Sequence, residues 1–263
     1  MQIRLASYNI RKCLGMDRRR LPARTLDVVN ALSADIVALQ EVDRRRAPRP
    51  FALPPELIAA ETHLRPVEIA PNPESLGWHG QSILLRRGLR AVAVDRIDLP
   101  SLEPRGAIAV EVEGEDGATF RVVTVHLALM RHWRRRQLAA LSLRLAGAPP
   151  MPTAILGDFN EWSTRGGLEP LQAGFRIHAP GRSFPARQPM GRLDRVALSD
   201  GVQLIHAGVL DTPVSRLASD HLPIWADVKL DVRPGVTPDA TGGVTGRVTG
   251  RVMGAMAPGG ASG

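Results

Sequence analysis

A chain of 263 residues is long enough for one large domain with a substantial core, since a domain near this size removes roughly 70–75% of its unfolded surface from water. The formal net charge of +8 comes almost wholly from arginine, because lysine occurs only as Lys12 and Lys229, and such a field favours polyanions such as nucleic acid or acidic lipid headgroups. A single cysteine, Cys13, excludes an intramolecular disulfide framework and points to a reducing compartment.

Residues 2–10 alternate as a strand and leave Asn9 near its far end. After Pro22, the spacing of Leu26, Val29 and Leu32 predicts a helix that returns the chain to a second strand, residues 36–43. That strand ends in Glu41, and a carboxylate at the edge of a core is costly unless something partners it. A hard cation is such a partner, since Mg²⁺ prefers one or two carboxylates, amide oxygens and retained waters. Residues 47–55 read as a Pro-rich loop, and residues 113–117, with Gly114 and Gly117, as a hairpin turn between two strands.

The strand at residues 121–126 ends in His126, a residue type that more often serves structure than chemistry. Leu138, Leu141 and Leu145 then recur at helical spacing, so residues 131–146 read as an amphipathic helix whose polar start carries Arg131, Arg134, Arg135 and Arg136. Residues 152–156 form a buried strand, and Gly157 lets the backbone turn so that Asp158 and Asn160 project into a cleft. An Asx-rich turn would use the same residues for local hydrogen bonds only. The segment 192–198 offers Asp194 as an acid behind the ring of His221, which follows Asp220 just before a last strand. Beyond about Arg233 the chain is rich in Gly, Thr and Pro. It cannot bury enough apolar surface to offset chain entropy, so a catalytic unit 1–232 and a disordered, dispensable tail 233–263 are expected.

The arginine clusters 18–20, 44–46 and 134–136 each lie near one of these strand ends. They suit phosphate steering, although a solvated face and a high-GC coding bias produce the same pattern. Aromatic residues are only 4% of the chain, which argues against a broad base-stacking platform. Trp78, Trp133 and Trp162 neighbour the polar strand ends and suggest a rim for a base, a sugar or a headgroup. No stretch approaches the roughly 18 apolar residues of a spanning helix, and the chain opens directly on a strand with no signal-peptide core. A cytoplasmic monomer is therefore expected, with peripheral contact to acidic lipid left open.

Taken in order, Tyr8-Asn9-Ile10, Leu39-Gln40-Glu41-Val42-Asp43, Glu103-Pro104-Arg105-Gly106, Thr124-Val125-His126-Leu127, Gly157-Asp158-Phe159-Asn160, Leu193-Asp194-Arg195-Val196 and Ser219-Asp220-His221-Leu222-Pro223 resemble the endonuclease/exonuclease/phosphatase superfamily. The resemblance implies a four-layered α/β sandwich, two mixed sheets packed face to face with helices outside. It further implies Mg²⁺, or Mn²⁺, held by Glu41, Asn9 and Asp220. The same resemblance makes His221, oriented by Asp194, a general base or a phosphate contact, and has Asp158 and Asn160 orient the attacking water and the phosphoryl group. His126 would contact phosphate or protonate the leaving oxygen, and Arg105, Gln81 and Trp162 would touch substrate. The implied reaction is phosphodiester hydrolysis in nucleic acid, with a phospholipid or small phosphoester as the alternative and a non-catalytic binding protein as the third reading. The abasic-site branch is disfavoured, because Asn9-Ile10-Arg11 replaces its Asn-x-Asp and His126 its Tyr. Inositol-polyphosphate phosphatases are disfavoured by Glu161-Trp162 and Leu193-Asp194-Arg195. Gln81 stands where many bacterial relatives carry Asn.

Overall fold

The structure, a computed structural model, describes residues 1–44, 48–163 and 166–231. The expected tail 233–263, and Arg45 and Arg46 of the second arginine cluster, lie outside the described residues.

Among the described residues, twelve strands and five α-helices follow one another in the order β1 (Gln2–Asn9), α1 (Pro22–Ala31), β2 (Ile36–Gln40), α2 (Pro55–Glu61), β3 (Leu64–Pro66), β4 (Gln81–Arg86), β5 (Arg90–Leu99), β6 (Arg105–Glu113), β7 (Thr119–His126), α3 (Arg131–Ala146), β8 (Thr153–Asp158), α4 (Glu169–Gln172), β9 (Arg176–His178), β10 (Asp194–Leu198), β11 (Val202–Val209), α5 (Pro213–Ala218) and β12 (Ile224–Leu230). They build two six-stranded sheets, ordered β11-β12-β1-β2-β4-β3 and β5-β6-β7-β8-β10-β9. Each sheet has one parallel pair near its middle, β1 with β2 and β7 with β8, flanked by antiparallel neighbours. A parallel pair needs a crossover, and α1 and α3 supply the two.

Helix boundaries follow local chemistry. Pro22, Pro55 and Pro213 occupy first-turn positions of α1, α2 and α5, where the missing N–H costs nothing. α5 adds a capping box, Thr212 accepting from the Ser215 N–H at 3.1 Å while Ser215 Oγ accepts from the Thr212 N–H at 2.8 Å. The turn between β6 and β7 is closed by Gly117 N–H to Gly114 C=O at 3.0 Å, with Gly117 at φ +74.

Apolar clusters among the described residues define the four layers. The middle one joins the facing sides of both sheets through Ile3, Leu5, Ile36, Ile83, Val110, Val122, Leu156 and Val196. One outer cluster sets Val37 and Leu39 against Leu26 and Val29 of α1 and Ile58 of α2; the other sets Val123 and Ile155 against Leu138 and Leu141 of α3. Each such side chain, fully buried, contributes roughly 1.5–3 kcal/mol. Cys13 is wholly buried in the first outer cluster, and burial pushes its thiol up to about 11 against the smaller opposing effects of Thr25 and Arg20. It is an inert structural thiol.

On the inward faces the period-two series run from apolar to polar toward one end of the sandwich: Ile3, Leu5, Ser7, Asn9 on β1; Ile36, Ala38, Gln40 on β2; Leu85, Ile83, Gln81 on β4; Val122, Thr124, His126 on β7; Ala154, Leu156, Asp158 on β8; Leu198, Val196, Asp194 on β10. Ser7, Gln40, Gln81 and Thr124 form a buried belt between the sheets. Gln40 donates to Ser7 Oγ and to Thr124 Oγ1, both at 3.2 Å, and Gln81 donates to the Gly106 carbonyl at 2.7 Å. The belt gives each buried amide a partner and separates the dry core from a polar end.

Candidate active site

Strand register decides what meets at that end. The β1–β2 pairing sets Asn9 beside Gln40, the β7–β8 pairing sets His126 beside Asp158, and the β8–β10 pairing sets Asp194 opposite Asp158. Asp158 is the hub. Its Oδ1 accepts the Asn160 N–H at 2.9 Å, and its Oδ2 accepts the Asn9 amide from the other sheet at 3.2 Å. The same Oδ2 lies 3.5 Å from His126 Nε2 and 3.6 Å from His221 Nε2. On the far side of the His221 ring, Nδ1 is 3.0 Å from Asp194 Oδ2, which also accepts a hydrogen bond from Ser183 Oγ at 2.5 Å.

Electrostatics follow from this packing. Burial disfavours a charged His221, yet the carboxylates of Asp194 and Asp158 outweigh it and hold the ring as imidazolium above its ordinary range. Burial, reinforced by Asp194, raises the Asp158 carboxyl against the opposing pull of His221. Phe184 packs on the His221 ring at 4.8 Å between centroids and is itself met edge-on by Trp162 at 5.9 Å. Trp162 is 57% exposed, so this stack runs from the buried histidine to the surface.

Three segments enter the site through left-handed backbone. Arg11, Lys12 and Cys13 have φ of +47, +59 and +58, and Glu41 and Asn160 stand at φ +58 and +52. Such conformations cost energy for non-glycine residues and collect at functional sites. At Glu41 the consequence is directional. On a continuing strand it would share the outer face with Leu39; the left-handed turn instead leaves it lining the cleft with Lys12 and His126. Asn160 is fixed there by its amide, which donates to the Leu127 carbonyl at 2.9 Å.

The residues expected to hold a metal are not in the tightest ionisable group. Among the described residues, the His and carboxylate atoms close enough to share one cation belong to Asp158, Asp194 and His221, all within 4.8 Å of one another. Within that group His221 Nδ1 is already engaged by Asp194 Oδ2 at 3.0 Å. Glu41 and Asp220 are instead each met by a cation of the chain itself: the Lys12 ammonium pairs with Glu41, and Arg11 Nε lies 3.3 Å from Asp220 Oδ2. The Asn9 carboxamide oxygen accepts the Arg11 N–H at 3.1 Å. Two carboxylates, each facing a cationic side chain, and an amide oxygen are hard donors of the kind that fit Mg²⁺ or Mn²⁺.

The remaining expected residues divide. Arg105 lines the cleft, donating to the His126 carbonyl at 3.4 Å and pairing with Glu103 at 3.3 Å. Gln81 is 1% exposed and lies in the belt below the site, so the structure does not bring it to the cleft surface. Ser183, Phe184 and Lys12 escaped the sequence reading, and Arg11 entered it only as a departure from the abasic-site branch. Only Lys12 and Arg11 carried a signal, as cations directly after Asn9 and Ile10.

A family model described as the endonuclease/exonuclease/phosphatase family matches residues 6–221. The chain is 30% identical to the uncharacterized protein YbhP of Escherichia coli K12 over 247 residues, covering 86% of this chain and 96% of that one. In structure it is similar to a mannosyl-6-phosphatase of Bacteroides thetaiotaomicron, with TM-score 0.68 at 16% identity over 87% of this chain and all of that one. It is also similar to D. rerio TDP2 complexed with single-strand DNA product, with TM-score 0.66 at 17% identity over 87% and 99% of the two chains. The expected sandwich and the expected lineage both hold, and the chain belongs to the endonuclease/exonuclease/phosphatase family.

Proposed function

We propose that the protein is a divalent-metal-dependent phosphodiesterase acting on nucleic acid. The observation that carries this reading is the convergence of Asn9, Asn160, His126 and His221 on the single buried carboxylate of Asp158, with Asp194 behind His221. Phosphoryl transfer is mostly positioning and charge neutralisation, and the centre has groups for each. Asp158 accepts a proton from the attacking water and, with Asn160, aims it. His221, held as a cation by Asp194, faces a non-bridging phosphoryl oxygen, so of the two roles open to it the phosphate contact is favoured over the general base. His126 stands across Asp158 and supplies a proton to the leaving oxygen. Glu41, Asn9 and Asp220 would hold Mg²⁺ or Mn²⁺, which neutralises phosphate charge when bound. Arg105 and Trp162 border the path of the substrate.

A specific observation favours lipid as the second reading. Leu102, Leu129, Met130, Trp162 and Met190 are exposed large apolar side chains on loops beside the site residues, and Leu129 is 72% exposed. Such a rim suits an acidic membrane surface, and no described helix is long and apolar enough to cross one.

Purified protein assayed with Mg²⁺ or with EDTA on duplex and single-stranded oligonucleotides, RNA, phospholipid vesicles and sugar phosphates tests both readings. Turnover of oligonucleotides requiring metal, and falling at least about 100-fold in Glu41→Ala, is expected. Undiminished activity in EDTA or in the variant refutes the metal assignment, and exclusive turnover of vesicles replaces the first reading with the second.

A further inference from the structure

One side of the cleft of about 320 Å³ that holds Glu41 and His126, a lobe lined by Arg44, Arg49 and His79, is left unused by the proposed chemistry. Its described residues are anchored through their backbone. Asp43 bridges Phe51, the Arg44 N–H donates to the Pro50 carbonyl at 2.8 Å, and Ser75 Oγ donates to the Arg49 carbonyl at 2.9 Å. Arg49 stands at φ +62. His79 and Gly80, at φ +48 and +76, are the two central residues of a tight turn closed by Trp78 N–H to Gln81 C=O at 2.9 Å and Gln81 N–H to Trp78 C=O at 3.0 Å. Positive φ at both positions makes this a type I′ turn, and its tip carries His79 beside Glu41.

The acids around the lobe neutralise it only in part, since Asp43 attracts Arg49 but has its oxygens held by backbone. Asp43 gives its carboxylate oxygens to the N–H groups of Leu76 and Gly77, at 2.8 and 3.3 Å, and serves the loop. Glu103 lies at the rim with its side chain 71% exposed, and Asp98, 3.8 Å from His79 Nε2, is more exposed still. Glu41 is turned toward Lys12. A guanidinium, a second arginine and an imidazole on a strained, anchored frame match a phosphate group.

We propose that this lobe is a second anion subsite, in which Arg49 and His79 receive a phosphate of the substrate other than the one cleaved. The proposal rests on the phosphoesterase reading of the neighbouring centre and narrows it: the preferred substrate carries two phosphates, as a nucleic-acid strand does on either side of a nucleotide.

Two measurements separate the subsite from the chemistry. The first compares kcat/KM for the dinucleotide TpT with its 5′- and 3′-phosphorylated forms. Wild type is expected to favour one phosphorylated form by about tenfold or more, as a charge-assisted contact allows. Arg49→Gln should erase that preference with TpT turnover unchanged, and Arg49→Lys should restore part of it. Equal rates on all three substrates in wild type, or an equal drop on all three in the variant, overturns the subsite. The second measures calorimetric binding of thymidine 3′,5′-bisphosphate and thymidine 5′-monophosphate. Tighter binding of the bisphosphate, with the gap closing in Arg49→Gln and His79→Ala but surviving in Glu41→Ala, is expected. No gap in wild type overturns the subsite whether or not the protein is active. A gap without any hydrolysis supports the subsite and counts only against the phosphoesterase reading.

Discussion

At the scale of single residues, His221 is a ring set between two buried acids. Nδ1 faces Asp194 at 3.0 Å and Nε2 faces Asp158 at 3.6 Å, so the charge on the ring depends on both neighbours. Asp194→Asn would leave His221 with an amide in place of its fixed counter-charge and would disturb the ring's orientation. Asp194→Asn and His221→Ala should each lower kcat/KM by about 10³-fold or more, with the double variant little worse than His221→Ala alone, because residues that act as a unit give non-additive losses. Losses that multiply in steady-state kinetics would show that the two act independently.

At the scale of elements, the site depends on how strands are stapled at the opposite, solvent-facing register of the same sheet. Arg4 of β1 and Asp227 of β12 are direct cross-strand partners, joined by two hydrogen bonds of 2.7 and 2.9 Å. The hydrogen bonds from Arg4 hold the Asp227 carboxyl below its usual range, against a smaller effect of desolvation. A depressed folded-state pKa contributes stability above the unfolded value of about 4, and that contribution is lost as pH falls through the folded value. Asp227→Asn should therefore cost about 0.5–1 kcal/mol at pH 7, the range for a partly exposed pair. The gap should close below about pH 4. Urea unfolding of both proteins across pH 3–7 measures it, and a gap independent of pH would assign the destabilisation to packing instead.

At the scale of the whole molecule, the arginine-rich surface is not uniform in purpose. Three arginines in a row lie in the first turns of α3, yet Arg134 is 4% exposed, donating to Glu161 at 2.7 Å and to the Ala128 carbonyl at 3.2 Å. It braces the loop after His126, and the expectation that the whole cluster steers substrate is corrected for this residue by the inward turn of the helix there. Arg135 and Arg136 face outward, one 3.5 Å from Glu169 and the other over the Trp133 ring at 5.2 Å. Arg135→Gln with Arg136→Gln should weaken capture of duplex nucleic acid, leave turnover at saturation unchanged and reduce the log–log salt slope by about 0.9 for each duplex phosphate that the two arginines neutralise. Arg134→Met should instead destabilise the fold by about 3 kcal/mol, because it strands the buried Glu161. An unchanged salt slope in the first variant would leave the surface charge with no role in steering.

How far the sequence determined this protein depends on the range of the interaction involved. Strand alternation, Pro at helix starts and the leucine spacing of residues 131–146 are local, and they located β1, β2, β7, β8, α1 and α3 close to their observed bounds. The strand-end residues Asn9, Glu41, His126, Asp158, Asp194 and His221 were legible because polar groups terminating apolar runs need partners. The inward series that changes from apolar to polar toward one end was also written there, at period two, on six separate strands. Only the tertiary structure decided which of these residues meet. Register between β8 and β10 placed two carboxylates around one histidine, left-handed backbone turned Glu41 into the cleft, and packing of one sheet on the other brought Asn9 to Asp158. It also took Gln81 out of the cleft into the belt and folded Arg134 inward. Local pattern states which side chains are polar at a strand end, whereas their partners come from segments far along the chain, such as Asn9 and Asp158, 149 positions apart, and those contacts exist only once both sheets have closed on a common core.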